Sequence, residues 1–222
     1  MSRAAAGAPD DRKGRFITLE GGEGTGKSTQ VRMLAEGLRN HGLSVMATRE
    51  PGGAPAAEDI RTLLVEGAVR RWSPVSETLL HYAARREHLD HAILPALAAA
   101  QWVVCDRFAD STMAYQGYGL GLGRDFVTAL HRLVVGTFSP DLTLILDLPV
   151  EEGLARAGAR AAGGDRYERM DLSFHARVRE GFLAIARDEP ERCVVIDARG
   201  SPESVAARLL AQVLARLGPV AP

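Results

Sequence analysis

Cysteine is scarce in this chain: 222 residues hold only two. Both, Cys105 and Cys193, lie inside apolar runs (102–105 and 193–196). They read as small core residues in a reducing compartment, which excludes a disulfide framework. An apolar run of membrane-spanning length is also missing, as is the apolar core of a secretory signal. These absences point to a soluble, cytoplasmic protein with no membrane partner. Neither sign of charge dominates, since Lys plus Arg number 27 against 28 for Asp plus Glu. There is thus no global basic field to hold nucleic acid. Internal repeats and low-complexity tracts are absent too. Residues 1–14, rich in Ala, Gly, Asp and Arg, read as a disordered leader, and residues 15–218 as one domain with a substantial core.

What the chain does contain is Gly21-Gly22-Glu23-Gly24-Thr25-Gly26-Lys27-Ser28, followed by Thr29. This matches G-x-x-x-x-G-K-[ST], a phosphate-binding loop. The context agrees with the motif. Residues 15–20 form a β-branched and apolar run that reads as a buried strand. Val31, Leu34, Ala35 and Leu38 recur at helical spacing as far as His41-Gly42. Glycines without a Cβ let backbone N–H groups close around phosphate oxygens, and the helix N-terminus adds its positive dipole end. Lys27 supplies a cation for the β- and γ-phosphates, and the Ser28 hydroxyl suits Mg²⁺. A nucleoside triphosphate with Mg²⁺ is the expected ligand of this loop.

Further along, residues 44–48 read as a second strand ending in Arg49-Glu50-Pro51-Gly52-Gly53. Arg49 there is either a phosphate ligand or a solvated surface residue. A short helix is expected over 58–67 with Ile60, Leu63 and Leu64 buried, then a long helical stretch over 75–100 broken near Pro95. On that stretch His81 and Arg85 share one face, as do Tyr82 and Arg86. His88 and His91 lack a third ligand and read as surface residues. Residues 102–107 form an apolar strand ending in Asp106-Arg107, a carboxylate for the metal beside a guanidinium that can neutralise a phosphoryl group. Asp147, ending the run at 143–147, competes for the metal. The polar stretch 110–117 suits recognition of a base and sugar, and the glycines from 117 to 123 suggest a flexible loop. Residues 154–169, with Arg156, Arg160, Arg166 and Arg169 among glycines, read as a lid that excludes water. Helical patterns surround Phe174 to Ile185 and Val205 to Leu217, with a last strand at 193–196 between them. Strands and helices alternate about five times, which predicts a three-layer α/β/α sandwich around a parallel sheet, with ligands at the carboxyl ends of its strands.

From residue 16 to about residue 217 the chain resembles bacterial thymidylate kinase, a P-loop nucleoside monophosphate kinase. The resemblance rests on five blocks in order: residues 20–29, Thr48-Arg49-Glu50-Pro51-Gly52-Gly53, Tyr82-Ala83-Ala84-Arg85, Asp106-Arg107 with residues 111–117, and Ser139-Pro140-Asp141-Leu142-Thr143. It implies transfer of the γ-phosphoryl group of ATP to dTMP, and a homodimer. Lys27 and the loop would hold ATP, with Ser28 and Asp106 at the metal. Glu23 would face the acceptor sugar and the water shell of the metal. Arg49 and Arg107 would hold the acceptor phosphate, with Pro51 and Ser111 beside them. Arg85, Thr112 and Gln116 would read the thymine edge, and Tyr115 would pack against the sugar. His81 stands where the family often stacks a Phe on the base; its imidazole is expected to titrate near neutral pH. Because residue 24 is Gly where another class of the family carries arginine, the catalytic arginine would come from the lid, as Arg156, Arg160 or Arg166. The chain lacks the N-K-x-D tetrad of a guanine-reading switch.

Overall fold

The structure is a computed structural model that describes residues 14–159 and 166–218. Five strands form one parallel sheet in the order β2-β3-β1-β4-β5: β1 (Phe16–Glu20), β2 (Val45–Arg49), β3 (Trp102–Asp106), β4 (Leu142–Asp147) and β5 (Cys193–Asp197). The three central strands are buried almost end to end, whereas the edge strands β2 and β5 are only partly buried. This is the signature of a parallel sheet covered on both faces. Ile17 and Leu19 point to one face, against α1 (Lys27–Asn40) and α9 (Pro202–Leu217), through Val31, Leu34, Leu38, Val205, Leu209 and Val213. Phe16 and Cys105 point to the other, against α3 (Pro74–His88) and Phe108, while Ile145 meets Phe174, Val178 and Phe182 of α8 (Leu172–Asp188). The result is the expected three layers.

Pairing register decides which residues reach the site. Asp106 lies level with Leu19 on one side and with Arg49 on the other. The ends of β1, β2 and β3 therefore share one rim, where ligands of open α/β sheets bind.

Several expectations need correction. The second helix, α2, spans Pro55–Val65 and buries Ala57 and Leu64. Leu63 is exposed, because the helix is covered on one side only, by α3. The break near Pro95 takes the form of a π-helical turn at Leu89–Ile93 before α4 (Leu94–Ala98), a common way to absorb an interrupted hydrogen-bond ladder. The glycines at 117 and 119 do not lie in a loop. They belong to a π-helical segment, Met113–Gly119, that follows α5 (Ala109–Thr112), and both are buried. A Cβ on Gly119 would sit 2.6 Å from the Phe174 ring, so glycine there permits close packing of α8. His88 is fully buried between Thr48 (Nε2 to Oγ1, 2.8 Å) and Glu50 (Nδ1 to Oε1, 3.2 Å), whereas His91 is exposed. The cysteines are free and buried. Two helices remain, α6 (Arg124–Val134) and α7 (Val150–Gly158). Among the described residues no helix is long and apolar enough to cross a membrane.

Candidate active site

A cleft of about 280 Å³ opens over the carboxyl ends of β1, β2 and β3. Its floor is the glycine loop. Gly26 caps α1 in the left-handed region (φ 88°) and offers no side-chain acceptor to the first turn, whereas α3, α8 and α9 are capped by Ser73, Asp171 and Ser201. The orphan N–H groups of α1 are thus left for an anionic ligand. Lys27 Nζ donates to the carbonyls of Gly22 (2.7 Å) and Gly21 (3.1 Å) and to Thr25 Oγ1 (3.3 Å). Burial, reinforced by nearby Arg107, pushes its ammonium down to about 8 despite Glu23, Asp106 and Glu20. Ser28 Oγ donates to Asp106 Oδ2 at 2.6 Å. A hydroxyl and a carboxylate are hard oxygen donors of the kind Mg²⁺ takes, few in number because phosphates and water supply the rest. Asp147, the competing carboxylate, is bidentately bound by Arg179 at 2.7 and 2.8 Å, away from this rim.

The middle of the cleft is built on Arg107, a non-glycine residue held at φ 70°, a costly conformation that the surroundings must over-determine. They do so at both terminal nitrogens of its guanidinium. Nη1 donates to the Gly21 carbonyl and to Ser111 Oγ, and Nη2 to Glu23 Oε1 and Tyr115 Oη, all within 3.0–3.1 Å. Tyr115 Oη in turn donates to Glu23 at 2.6 Å. Burial alone would raise the Glu23 pKa, yet Arg107, Lys27 and the Tyr115 hydroxyl hold it at about 2. Glu23 is therefore an anion that positions Arg107. Behind it lies Glu20, to which motif reading assigned no separate role. It accepts from the Phe108 N–H (2.7 Å) and from Ser111 Oγ (2.5 Å), and burial with the neighbouring Asp110 raises its pKa to about 7. Thr18 and Glu20 repeat at period two on the inner face of β1, and a polar pair at that spacing in an otherwise apolar strand is the signal that marks it.

The far end is walled by buried polar groups. Arg85 lies between the rings of Tyr82 and Phe108. Its Nε donates to Glu50 (2.8 Å) and its Nη2 to the Phe108 carbonyl and Thr112 Oγ1, leaving Nη1 buried and unpartnered. Gln116 Nε2 donates to Glu77 at 2.7 Å, and its Oε1 is likewise buried and unpartnered. His81 lines the same space, with Nε2 at 2.9 Å from Tyr167 Oη. Burial, then the cations of Arg85, Arg166 and Arg107, push its imidazole down to about 3, so it is neutral near pH 7, contrary to the expectation of titration there. Glu50, Glu77 and Tyr167 were not singled out as site residues. Packing of α3 against the segment after α7 brings Glu77 and Tyr167 here, and packing of α3 against the end of β2 brings Glu50.

The arginines expected at the phosphates fare differently. Arg49 lines the cleft, its Nη2 donating to both carboxylate oxygens of Glu58 at 3.0–3.1 Å, and is more than half exposed. Pro51 lines it too, its carbonyl taken by Arg61. Arg156 does not reach the cleft: it binds Glu152, one turn back, and the Ala198 carbonyl. Arg166 is only 2 % exposed and is consumed by Glu77 (2.5 Å), the Leu64 and Val69 carbonyls and Tyr167, which makes it a tether rather than a mobile cation. Arg160 falls outside the described residues. Arg86, next to Arg85, turns away to Asp90 and the Val134 carbonyl.

Comparison with known proteins agrees with this geometry. Residues 19–209 match the family model described as thymidylate kinase. The thymidylate kinase of Caulobacter vibrioides is 56% identical over 206 residues, covering 93% of this chain and 99% of that one. That of Gluconobacter oxydans is 55% identical, covering 90% and 94%. The crystal structure of thymidylate kinase from Ehrlichia chaffeensis superposes with a TM-score of 0.74 at 35% identity, over 90% of this chain and 99% of that one. The chain belongs to the thymidylate kinase family.

Proposed function

We propose that this enzyme transfers the γ-phosphoryl group of ATP to dTMP in the cytoplasm, as a homodimer. One observation carries the acceptor assignment. At the closed end of a phosphate-binding cleft, a buried donor (Arg85 Nη1) and a buried acceptor (Gln116 Oε1) have no partners of their own. Unpaired buried polar groups are costly and call for a ligand that satisfies them. The O4 and N3–H of a thymine or uracil edge present the complementary acceptor and donor.

In this reading the loop N–H groups and Lys27 bind the triphosphate. Arg107, with Arg49 at the outer rim, neutralises the acceptor phosphate. Ser28 and Asp106 would hold Mg²⁺, which when bound screens the phosphate charge. Tyr115 and Glu23 fix the Arg107 guanidinium and face the sugar, and Ser111 and Thr112 complete the pocket wall. A general base has no task here, because the attacking phosphate oxygen is already anionic. Positioning and charge neutralisation carry the catalysis. With Arg166 buried and Arg156 turned toward Ala198, Arg160 becomes the lid arginine best suited to the transferring phosphoryl group.

The test is ADP release with Mg·ATP against dTMP, dUMP, UMP, CMP, AMP and GMP. Turnover strongest with dTMP is expected. Preference for a purine or cytosine nucleotide would overturn the acceptor assignment. Light scattering checks the dimer, and a monomer at assay concentration would remove that part.

A further inference from the structure

The pocket for the base depends on which way the Gln116 amide faces, and Gln116 does not set this by itself. Its Nε2 donates to Glu77 Oε1 at 2.7 Å. Glu77 stands in the first turn of α3, and both side chains are almost fully buried. A carboxylate can only accept, so it binds the amide nitrogen and leaves Oε1 without a protein partner on a side chain that lines the cleft. The carboxylate is itself held: Arg166 Nη2 donates to Oε2 at 2.5 Å, and Tyr167 Oη donates to Oε1 at 2.8 Å. His81 Nε2 lies 2.9 Å from the same tyrosine oxygen; as a neutral imidazole with the proton on Nε2 it donates there. Arg166, Tyr167 and Gln116 thus all donate to the Glu77 carboxylate, which fixes the sense of the Gln116 bond.

We infer that Glu77 is a specificity-determining positioning residue: by fixing the Gln116 amide it selects bases with an N3–H donor and rejects those with an N3 acceptor. The inference rests on the proposed acceptor site and deepens it. Thymine and uracil give N3–H to Gln116 Oε1. Cytosine sets its N3 lone pair against that oxygen and leaves both unsatisfied, a mismatch worth roughly tenfold or more in discrimination. Glu77→Gln reverses the sense. Arg166 keeps the new amide oxygen, so the new amide nitrogen faces Gln116, whose own amide turns over to present Nε2 to the base.

The experiment measures kcat/KM for dUMP and dCMP, which both lack the thymine methyl, in wild type, E77Q and the double variant E77Q/Q116E, with thermal melts for each. Wild type should favour dUMP. In E77Q the dUMP-to-dCMP ratio should fall about tenfold or more, with dCMP gaining in absolute terms. The double variant restores an acceptor toward the base, since the amide introduced at position 77 would donate to one oxygen of the carboxylate introduced at position 116 and leave the other facing N3. It should recover the preference. A folded E77Q that loses both activities equally, with the ratio unmoved, overturns the inference and leaves Glu77 a mere anchor for Arg166. Should E77Q fail to fold, Q116M decides, because it leaves the Glu77–Arg166 pair intact: the ratio must again fall about tenfold, and an unchanged ratio overturns the inference. Absence of wild-type turnover with both dTMP and dUMP would instead overturn the acceptor site itself.

Discussion

At the scale of single residues, Lys27 is the group whose chemistry is most exposed to test. Removing one positioned cation from a phosphoryl-transfer site costs on the order of 10²–10³ in turnover. Lys27→Ala should lose about that much in a coupled ADP-release assay while keeping its melting temperature within a few degrees. Its ammonium, pushed down to about 8 by burial, also gives a pH signature. The protonated form binds phosphate, so kcat/KM for ATP should fall as pH rises through about 8. Lys27→Arg should lack that fall, since guanidinium stays charged. Stability runs the other way. The folded pKa lies below the unfolded value of 10.5, so the unfolded chain binds more protons between about 8 and 10.5 and stability rises with pH across that window. A pH–rate profile flat to pH 10 in wild type would remove this assignment. The motif makes Lys27 legible from sequence alone. The perturbed acidities of His81 and Glu23 are not. His81 is lowered by burial and then by Arg85 of α3, Arg166 after α7 and Arg107 just past β3, whereas Glu23 is lowered by Arg107 and Lys27 against the effect of burial. Helical spacing places Arg85 beside His81, but no spacing rule brings Arg166 and Arg107 there or sets Arg107 against Glu23.

Elements set the next level of constraint. The glycine loop and α7 touch backbone to backbone: a Cβ on Gly24 would overlap the Gly153 carbonyl oxygen, and one on Gly153 would lie 2.5 Å from that of Glu23. Gly24 is also at φ 69°. Gly24 is thus required by the approach of α7 as well as by phosphate. Gly24→Ala should force the two elements apart and cost about 1–3 kcal/mol, as overpacking of a tight contact does. A calorimetric melt lower by several degrees, together with a raised KM for ATP, is the expected outcome, and an unchanged melt would show the contact to be slack. The strands and most helices were readable because burial imposes its period on the sequence. The π-helical segment Met113–Gly119 was not, because its glycines serve the Phe174 and Val127 contacts rather than a turn.

For the molecule as a whole, a largely buried ion pair joins the sequence-distant halves of the inner face. Arg192, just before β5, grips Asp110 of α5 through two guanidinium nitrogens at 2.7 and 3.0 Å and donates to Thr143 of β4. Thr143 continues to Thr18 of β1 at 2.8 Å. The pair anchors α5, and α5 and the π-helical segment after it carry Ser111, Thr112, Tyr115 and Gln116. Removing one partner of such a pair strands the other, at a cost of about 3–5 kcal/mol. Arg192→Met should therefore lower the melting temperature by roughly 10 °C or more for a domain of this size. A shift under about 2 °C would show that solvent already screens the pair.

By itself the sequence determined the strand–loop–helix at the floor of the cleft, the parallel α/β architecture and many of the polar residues that line the cleft, though not Glu50 or Tyr167. Each of these is written in local spacing, because glycine geometry and burial period act over a few neighbours. Only the tertiary structure decided which arginines line the cleft and which are tethers, that His88 is interior, and which atom of the Gln116 amide Glu77 holds. Those outcomes depend on partners tens of residues away, such as Glu77 with Arg166 and Glu50 with Arg85. A buried charge is defined by the group that meets it, and only folding chooses that group.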